Sequence, residues 1–389
     1  MTLTLFSYPY VYLPVSARLA GLPASLEESA RGLGRSPGAV FRTVVLPQAT
    51  GAVWAGSLLV FLYVVSDFGA VSLLRVDTLT TRIDSARLFD PTTALALGLL
   101  LGVVALTVVA AERGVARRRL HTEVGASGRP ALRTPLGRWK PLATAFVGAV
   151  VGVALVAPLA VLGHWTWRGF RGDGRAGPGL ELGSLVSPTL RTAGVAVVAA
   201  VVTVAVVLPV AYLTTRYRSR AGGPVNALVV GGFALPGLVI ALALVFWVLQ
   251  APVVSGLYQT LPLLVFAYVV HFGAQAMRAS QVAVSGVPRR VEDAARSLGA
   301  GRLRRLATVE IPLMLPGLAA GAGLVLLSTM KELPATLYLA PIGFETLATR
   351  IWGATADGFL AEAGLLSLAL VAISGILTWL LTIRRMERL

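Results

Sequence analysis

Apolar runs of about 20 residues recur along the chain, each long enough to cross a hydrocarbon core of roughly 30 Å as a helix. Full runs lie near 50–72, 92–111, 142–163, 190–213, 226–250, 258–277, 314–336 and 361–383. Residues 1–17 read as the end of one more. The expected fold class is therefore an all-α polytopic membrane protein with eight full spans and an N-terminal partial one. A barrel would instead alternate polar and apolar residues in segments of about 10. Charged residues make up 13% of the chain, against about 25% in an ordinary soluble domain.

The formal charge is +16, and almost all of it is arginine; Lys140 and Lys331 are the only lysines. The arginines collect in 113–140 (Arg113, Arg117, Arg118, Arg119, Arg129, Arg133, Arg138), in 214–224 (Arg216, Arg218, Arg220) and in the tail (Arg384, Arg385, Arg388). With the spans above, all three stretches fall on one side, which the positive-inside rule makes cytoplasmic. The loop 73–91 on the other side is charge-balanced; loop 164–189, with Arg168, Arg171 and Arg175, fits least well. Charge placed this way belongs to a lipid bilayer protein and gives no reason to expect nucleic acid as a partner. No cysteine is present, which excludes disulfides and thiolate metal sites. His121, His164 and His271 are too scattered in sequence to suggest a metal cluster, so no metal site is expected. The first residues lack the basic leader and cleavage site of a signal peptide.

Two polar interruptions share one pattern, 265 positions apart. The first runs Glu27-Glu28-Ser29-Ala30-Arg31-Gly32-Leu33-Gly34 and closes at Leu46-Pro47; the second runs Glu292-Asp293-Ala294-Ala295-Arg296-Ser297-Leu298-Gly299 and closes at Ile311-Pro312. No gap separates Glu from Pro in either alignment, and Gly21-Leu22-Pro23 matches Gly286-Val287-Pro288 at the same offset. Asp67 aligns with Glu332. After a shift of three, Thr78-Leu79-Thr80-Thr81-Arg82-Ile83 matches Thr346-Leu347-Ala348-Thr349-Arg350-Ile351. Both copies run in the same direction, as parallel repeats do. The expected division is 1–111 for the later part of a first unit, 112–141 for a basic cytoplasmic linker, and 142–389 for a complete second unit of six spans. The unequal copies suggest a first unit shortened at its N-terminus, by truncation or a misplaced start. Each loop reads as two short helices joined at a glycine: Pro23 and Pro288 precede the first helix, Gly34 and Gly299 end it, and Pro47 and Pro312 mark entry to the next span.

The pattern Glu-x-Ala-Ala/Ser-Ala, then Gly, then Ile/Leu-Pro resembles the EAA loop of binding-protein-dependent ABC transporter permeases, the MetI-like inner-membrane components. The resemblance implies that Glu27, Ala30, Gly34, Leu46 and Pro47, with Glu292, Ala294, Ala295, Gly299, Ile311 and Pro312, meet a dimeric ATPase subunit on the cytoplasmic side. The first copy departs from the pattern at Glu28-Ser29. Two fused units, with Met330-Lys331-Glu332-Leu333-Pro334-Ala335-Thr336 and Phe344-Glu345-Thr346-Leu347, are similar to the iron(III) transport branch. The resemblance further implies a periplasmic or lipid-anchored substrate-binding protein as partner and a bacterial or archaeal cytoplasmic membrane as location. It also implies that this chain carries no cofactor of its own and is not an enzyme. The chain has no G-x-x-x-x-G-K-[ST] loop, so ATP–Mg is expected in the partner subunit.

Asp67, Lys331 and Glu332 are the candidates for the translocation path. Seventeen or so residues into their spans, at 1.5 Å each, the acids lie about 25 Å across, near the outer boundary. They read either as a cation-receiving pair or as interfacial acids, Glu332 paired with Lys331. His271 reads as a packing residue. A permease for thiamine, phosphonate or polyamine is the alternative cargo reading. An ion-coupled secondary transporter would want ionisable groups at the midplane, and a membrane enzyme would want a nucleophile or His/Asp constellation.

Overall fold

The computed structural model describes residues 2–119, 136–172, 180, 182–217 and 222–386, without the side chains of 112–119 and 381–386. Most of the expected basic linker, and the arginines at 175, 218, 220 and 388, lie outside the described residues. In chain order the helices are α1 (Thr2–Ser7), α2 (Pro9–Ala20), α3 (Ala24–Gly32), α4 (Pro37–Val40), α5 (Leu46–Ser66), α6 (Gly69–Leu73), α7 (Leu79–Phe89), α8 (Pro91–Arg119), α9 (Lys140–Val151), α10 (Ala157–Phe170), α11 (Val186–Arg216), α12 (Gly222–Gly232), α13 (Gly237–Gln250), α14 (Leu261–Ser285), α15 (Arg289–Ser297), α16 (Arg302–Arg305), α17 (Ile311–Met330), α18 (Pro334–Leu339), α19 (Leu347–Ala356) and α20 (Leu360–Met386). No strand occurs among the described residues. Three π turns, Phe41–Val45, Gly152–Val156 and Leu306–Glu310, join helices end to end.

Among the described residues, seven continuous helical stretches are long and apolar enough to cross a membrane, and a bent pair makes an eighth. Two differences from the sequence reading have physical causes. Residues 226–250, expected as one span, are α12 and α13, bent by 106°. Pro236 has no N–H to continue the ladder, disfavours helix at Leu235, and itself sits at φ −57°, ψ 141° before α13. The spans expected to start near 50 and 314 start earlier, as continuous stretches Pro37–Ser66 and Arg302–Met330. In both, the loop's second helix runs into the span through a π turn instead of stopping before Pro47 or Pro312. The wider turn leaves room for a proline ring that would crowd the carbonyl four residues back in a regular helix.

The chain forms two compact units, one of Met1–Ala70 with Val103–Ala160, the other of Val71–Gly102 with Val161–Leu389. These limits are not those of the repeat, because α7 and the start of α8 group with the later helices. In the first unit α2 crosses α5 at Gly56, where an added Cβ would lie 2.7 Å from both the Tyr10 carbonyl oxygen and the Val11 Cα. Both neighbours are backbone and cannot swing aside. Gly56→Val is expected to cost about 1–3 kcal/mol, read as a lower thermal midpoint in detergent. Gly148→Val, in open space, should leave that midpoint in place.

In the second unit α11, α14 and α17 pack together. Thr192, Val195, Ala196, Ala199, Thr203, Val207 and Ala211 give α11 a buried stripe at helical spacing. Small residues let the backbones approach, as membrane helix pairs require. A Cβ on Gly317 or Gly321 of α17 would meet the Ala283 or Ala279 Cβ of α14 at 2.7 Å.

Candidate functional site

The two polar loops fold alike, element for element, at the offset of 265 read from the sequence. Pro23 and Pro288 stand at the N-caps of α3 and α15, each nine residues long. Glu27 and Glu292 occupy the first turn, where the helix dipole favours a carboxylate. Gly34 and Gly299 take φ of +82° and +79°, a region that glycine enters without steric cost. Around each, a residue's N–H reaches back five positions: Arg35 to the Ala30 carbonyl at 3.2 Å and Ala300 to Ala295 at 3.0 Å. That is the Schellman closure of a helix. A four-residue helix, a five-residue π turn and a long span then follow, beginning at Leu46-Pro47 in one copy and at Ile311-Pro312 in the other.

The faces of these loops divide their residues. Ala30 is buried, Ala295 is half-buried and Ala294 is exposed. Leu33 and Leu298, equivalent by the offset, are 82% and 88% exposed. Sequence reasoning did not single them out, although an apolar residue set against a glycine turn in both copies was a readable signal. Glu27 pairs along its own helix with Arg31 at 3.6 Å. Glu292 points to its own bundle, 2.7 Å from Arg216 at the end of α11. Arg216 hydrogen-bonds to the Val287 carbonyl at 2.6 Å instead. Its Nε and the Glu292 Oε1 are left without hydrogen-bond partners.

Behind the second loop lies a polar cluster that the sequence reading missed. Arg305 Nε donates to Glu310 Oε1 at 2.7 Å, and the Tyr212 hydroxyl donates to Glu310 Oε2 at 2.5 Å. Both charged residues are buried. The first copy holds Val40 and Val45 at the equivalent positions.

At the far end of α5, Asp67 follows the last helical residue as its C-cap. At the far end of α17, Lys331 is exposed and Glu332 half-buried, and among the described residues no ion pair joins them. Glu332 turns inward. Its Oε1 accepts from the Ala335 N–H at 3.1 Å, capping α18, and lies 2.6 Å from where a Cβ on Gly237 would be. His271 of α14, expected only to pack, reaches the same point, with Nε2 3.5 Å from that Cβ position. Asp67 belongs to the first compact unit and Glu332 to the second.

The repeated threonine segment also folds alike in both copies. Thr78 and Thr346 each close a capping box with a threonine three residues on, starting α7 and α19. Arg350 of α19 bonds to Glu362 at 2.7 Å and to Glu345 at 3.3 Å. The Tyr338 hydroxyl of α18 donates to Asp84 of α7, and the Arg87 guanidinium lies 4.6 Å above the Tyr338 ring. Burial, followed by the Asp84 carboxylate, pushes the Tyr338 hydroxyl well above the usual phenol range.

These spans and paired loops define a multi-pass helical membrane protein with a duplicated polar element. Residues 1–119 and 207–386 match the family of binding-protein-dependent transport system inner membrane components, and the chain belongs to that family. It is 34% identical over 385 residues to the Fe(3+)-transport system permease protein FbpB 2 of Haemophilus influenzae, covering 97% of this chain and 74% of that one. It is 30% identical over 157 residues to the putative 2-aminoethylphosphonate transport system permease protein PhnV of Salmonella typhimurium, covering 40% and 56%. A solved structure of the MetNI methionine ABC transporter in inward-facing conformations aligns with a TM-score of 0.43 at 18% identity, over 54% of this chain and 98% of that one. Family and helical fold agree with the resemblance drawn from the EAA-like loops.

Proposed function

We propose that this chain is the membrane permease of an ATP-driven importer for iron(III) in a bacterial or archaeal cytoplasmic membrane. The observation that carries the cargo assignment is the 34% identity, spread over 97% of the chain, to an Fe(3+)-transport permease. A substrate-binding protein delivers iron on the outer face. A separate ATPase dimer, holding ATP–Mg, meets the two loops on the cytoplasmic face.

In this reading the exposed Leu33 and Leu298 enter apolar pockets of the ATPase subunit, and Gly34 and Gly299 set their angle. Glu27, Ala30, Leu46 and Pro47, with Glu292, Ala294, Ala295, Ile311 and Pro312, shape the same contacts. Glu292 faces Arg216 at 2.7 Å, which ties α15 to the end of α11. Closure of the ATPase dimer moves both loops and shifts access from one face to the other. The repeat division 1–111, 112–141 and 142–389 describes the two halves that move. Asp67, Lys331 and Glu332 lie on the path.

The test is uptake into vesicles holding the permease, its ATPase subunit and an external binding protein. Iron(III) uptake should need ATP and ignore ionophores that collapse ion gradients. Uptake driven by a proton gradient without ATP overturns the permease assignment. ATP-driven uptake of a phosphonate in place of iron overturns the cargo.

A further inference from the structure

The break between α12 and α13 gathers polar groups where an uninterrupted span would show none. We infer that Glu332, His271 and the opened backbone at Leu235 form a transit site for a metal cation, which rests on reading the chain as a cation permease. Three observations carry it. First, Glu332 Oε1 and His271 Nε2 lie 2.6 and 3.5 Å from the place a Cβ on Gly237 would occupy. A Cβ at 237 would collide with Glu332 Oε1, so the glycine is what lets the carboxylate and the imidazole converge on the backbone at the break. Second, the Leu235 carbonyl is a polar neighbour of the imidazole. Among the described residues no backbone N–H donates to the carbonyls of Phe233, Ala234 or Leu235. Unwound carbonyls at a broken helix are the groups with which membrane transporters hold cations. Third, two side-chain atoms closed off from solvent have no partner: His271 Nδ1 and, one turn before Glu332, Thr329 Oγ1.

The charge at the site selects the class of cargo. No lysine or arginine pairs with Glu332 among the described residues. A carboxylate beside an imidazole and a carbonyl attracts a metal cation and repels an oxyanion. Carboxylate and carbonyl oxygens suit hard cations, and imidazole extends the set to iron and its neighbours. Phe233 and Phe272 flank the His271 ring, with centroids at 6.5 and 4.5 Å, and limit how much water a bound ion keeps. Two side-chain ligands give a site that binds and releases, as transit requires.

The experiment titrates the full-length chain in lipid nanodiscs with Co(II), whose visible band reports nitrogen and oxygen ligands. Wild type should give one saturable band. Glu332→Gln keeps an acceptor for the Ala335 N–H and removes the charge; His271→Gln removes the imidazole. Each should weaken Co(II) binding about tenfold or more, and His271→Gln should also shift the band. Thermal midpoints near wild type show that both variants are folded; if one is not, Glu332→Asp, which moves the carboxylate by one methylene and weakens binding, replaces it. Absence of a band in wild type, or a band unchanged by both substitutions, overturns the site. Cobalt binding needs no ATPase and no knowledge of the cargo. A site-dependent band in a chain whose vesicles import no iron therefore upholds the site and refutes the cargo assignment alone.

Discussion

Gly299→Val is expected to strip the proposed ATPase subunit from the purified transporter while the chain still inserts into the membrane. The residue sits at φ +79°, where a residue with a Cβ is strained by about 1–2 kcal/mol and a β-branched one by more. To escape, the turn must rotate. It then gives up the Ala300 to Ala295 hydrogen bond and swings Leu298, the most exposed apolar side chain of the loop. Asparagine tolerates the left-handed region, so Gly299→Asn should keep most of the ATPase bound. Pull-down from detergent extracts, with membrane content of the chain as control, distinguishes the two. Equal capture by the Val and Asn variants would show that the backbone angle at this glycine does not set the contact. Gly34→Val, at φ +82°, should act in the same direction.

Glu310→Ala is expected to destabilise the second loop more than removal of the whole ion pair does. Arg305 is buried and hydrogen-bonded to Glu310, as is the Tyr212 hydroxyl. Taking away the carboxylate leaves a buried guanidinium uncompensated, the costly half of breaking a buried pair. Replacing both partners with apolar residues is commonly neutral. The chain already contains that replacement, since its first copy carries Val40 and Val45 in the same fold. Arg305→Val with Glu310→Val should therefore recover much of the thermal midpoint lost in Glu310→Ala. A double variant as unstable as the single would mean that the pair does more than fill space. ATPase capture by the double variant then tells whether the charges also serve the contact.

The loops were legible because their signals are local. Proline at a helix start, a carboxylate in the first turn and glycine at the close each fix geometry within a few residues, and two copies in register reinforce one another. The threonine segments at Thr78 and Thr346 match by alignment, but the capping boxes they form emerged only in the structure. The break at Pro236 was missed because apolar content was read across it; Leu235-Pro236-Gly237 is a turn signal inside a hydrophobic run. His271 was read as packing because its partners, Glu332 and Gly237, are distant in sequence. Arg216 with Glu292, and Tyr212 with Glu310, are likewise contacts between elements that no local pattern encodes. The early starts of the stretches Pro37–Ser66 and Arg302–Met330 are hidden in the sequence because proline ordinarily marks a helix boundary, and the π turn removes that meaning.

The unbroken stretches Pro37–Ser66 and Arg302–Met330, each carrying a π turn, account for the absence of a gap between the two copies. In a helix each residue advances the azimuth by about 100°. A single extra or missing residue between Arg302 and Ile311 would turn the rest of the stretch by that angle, carrying Gly317 and Gly321 away from α14. The turn works like a gear with a fixed tooth count. Its teeth can be recut, as Val40 and Val45 stand for Arg305 and Glu310, but none can be added or removed. Such loops should diverge freely by substitution and hardly at all in length.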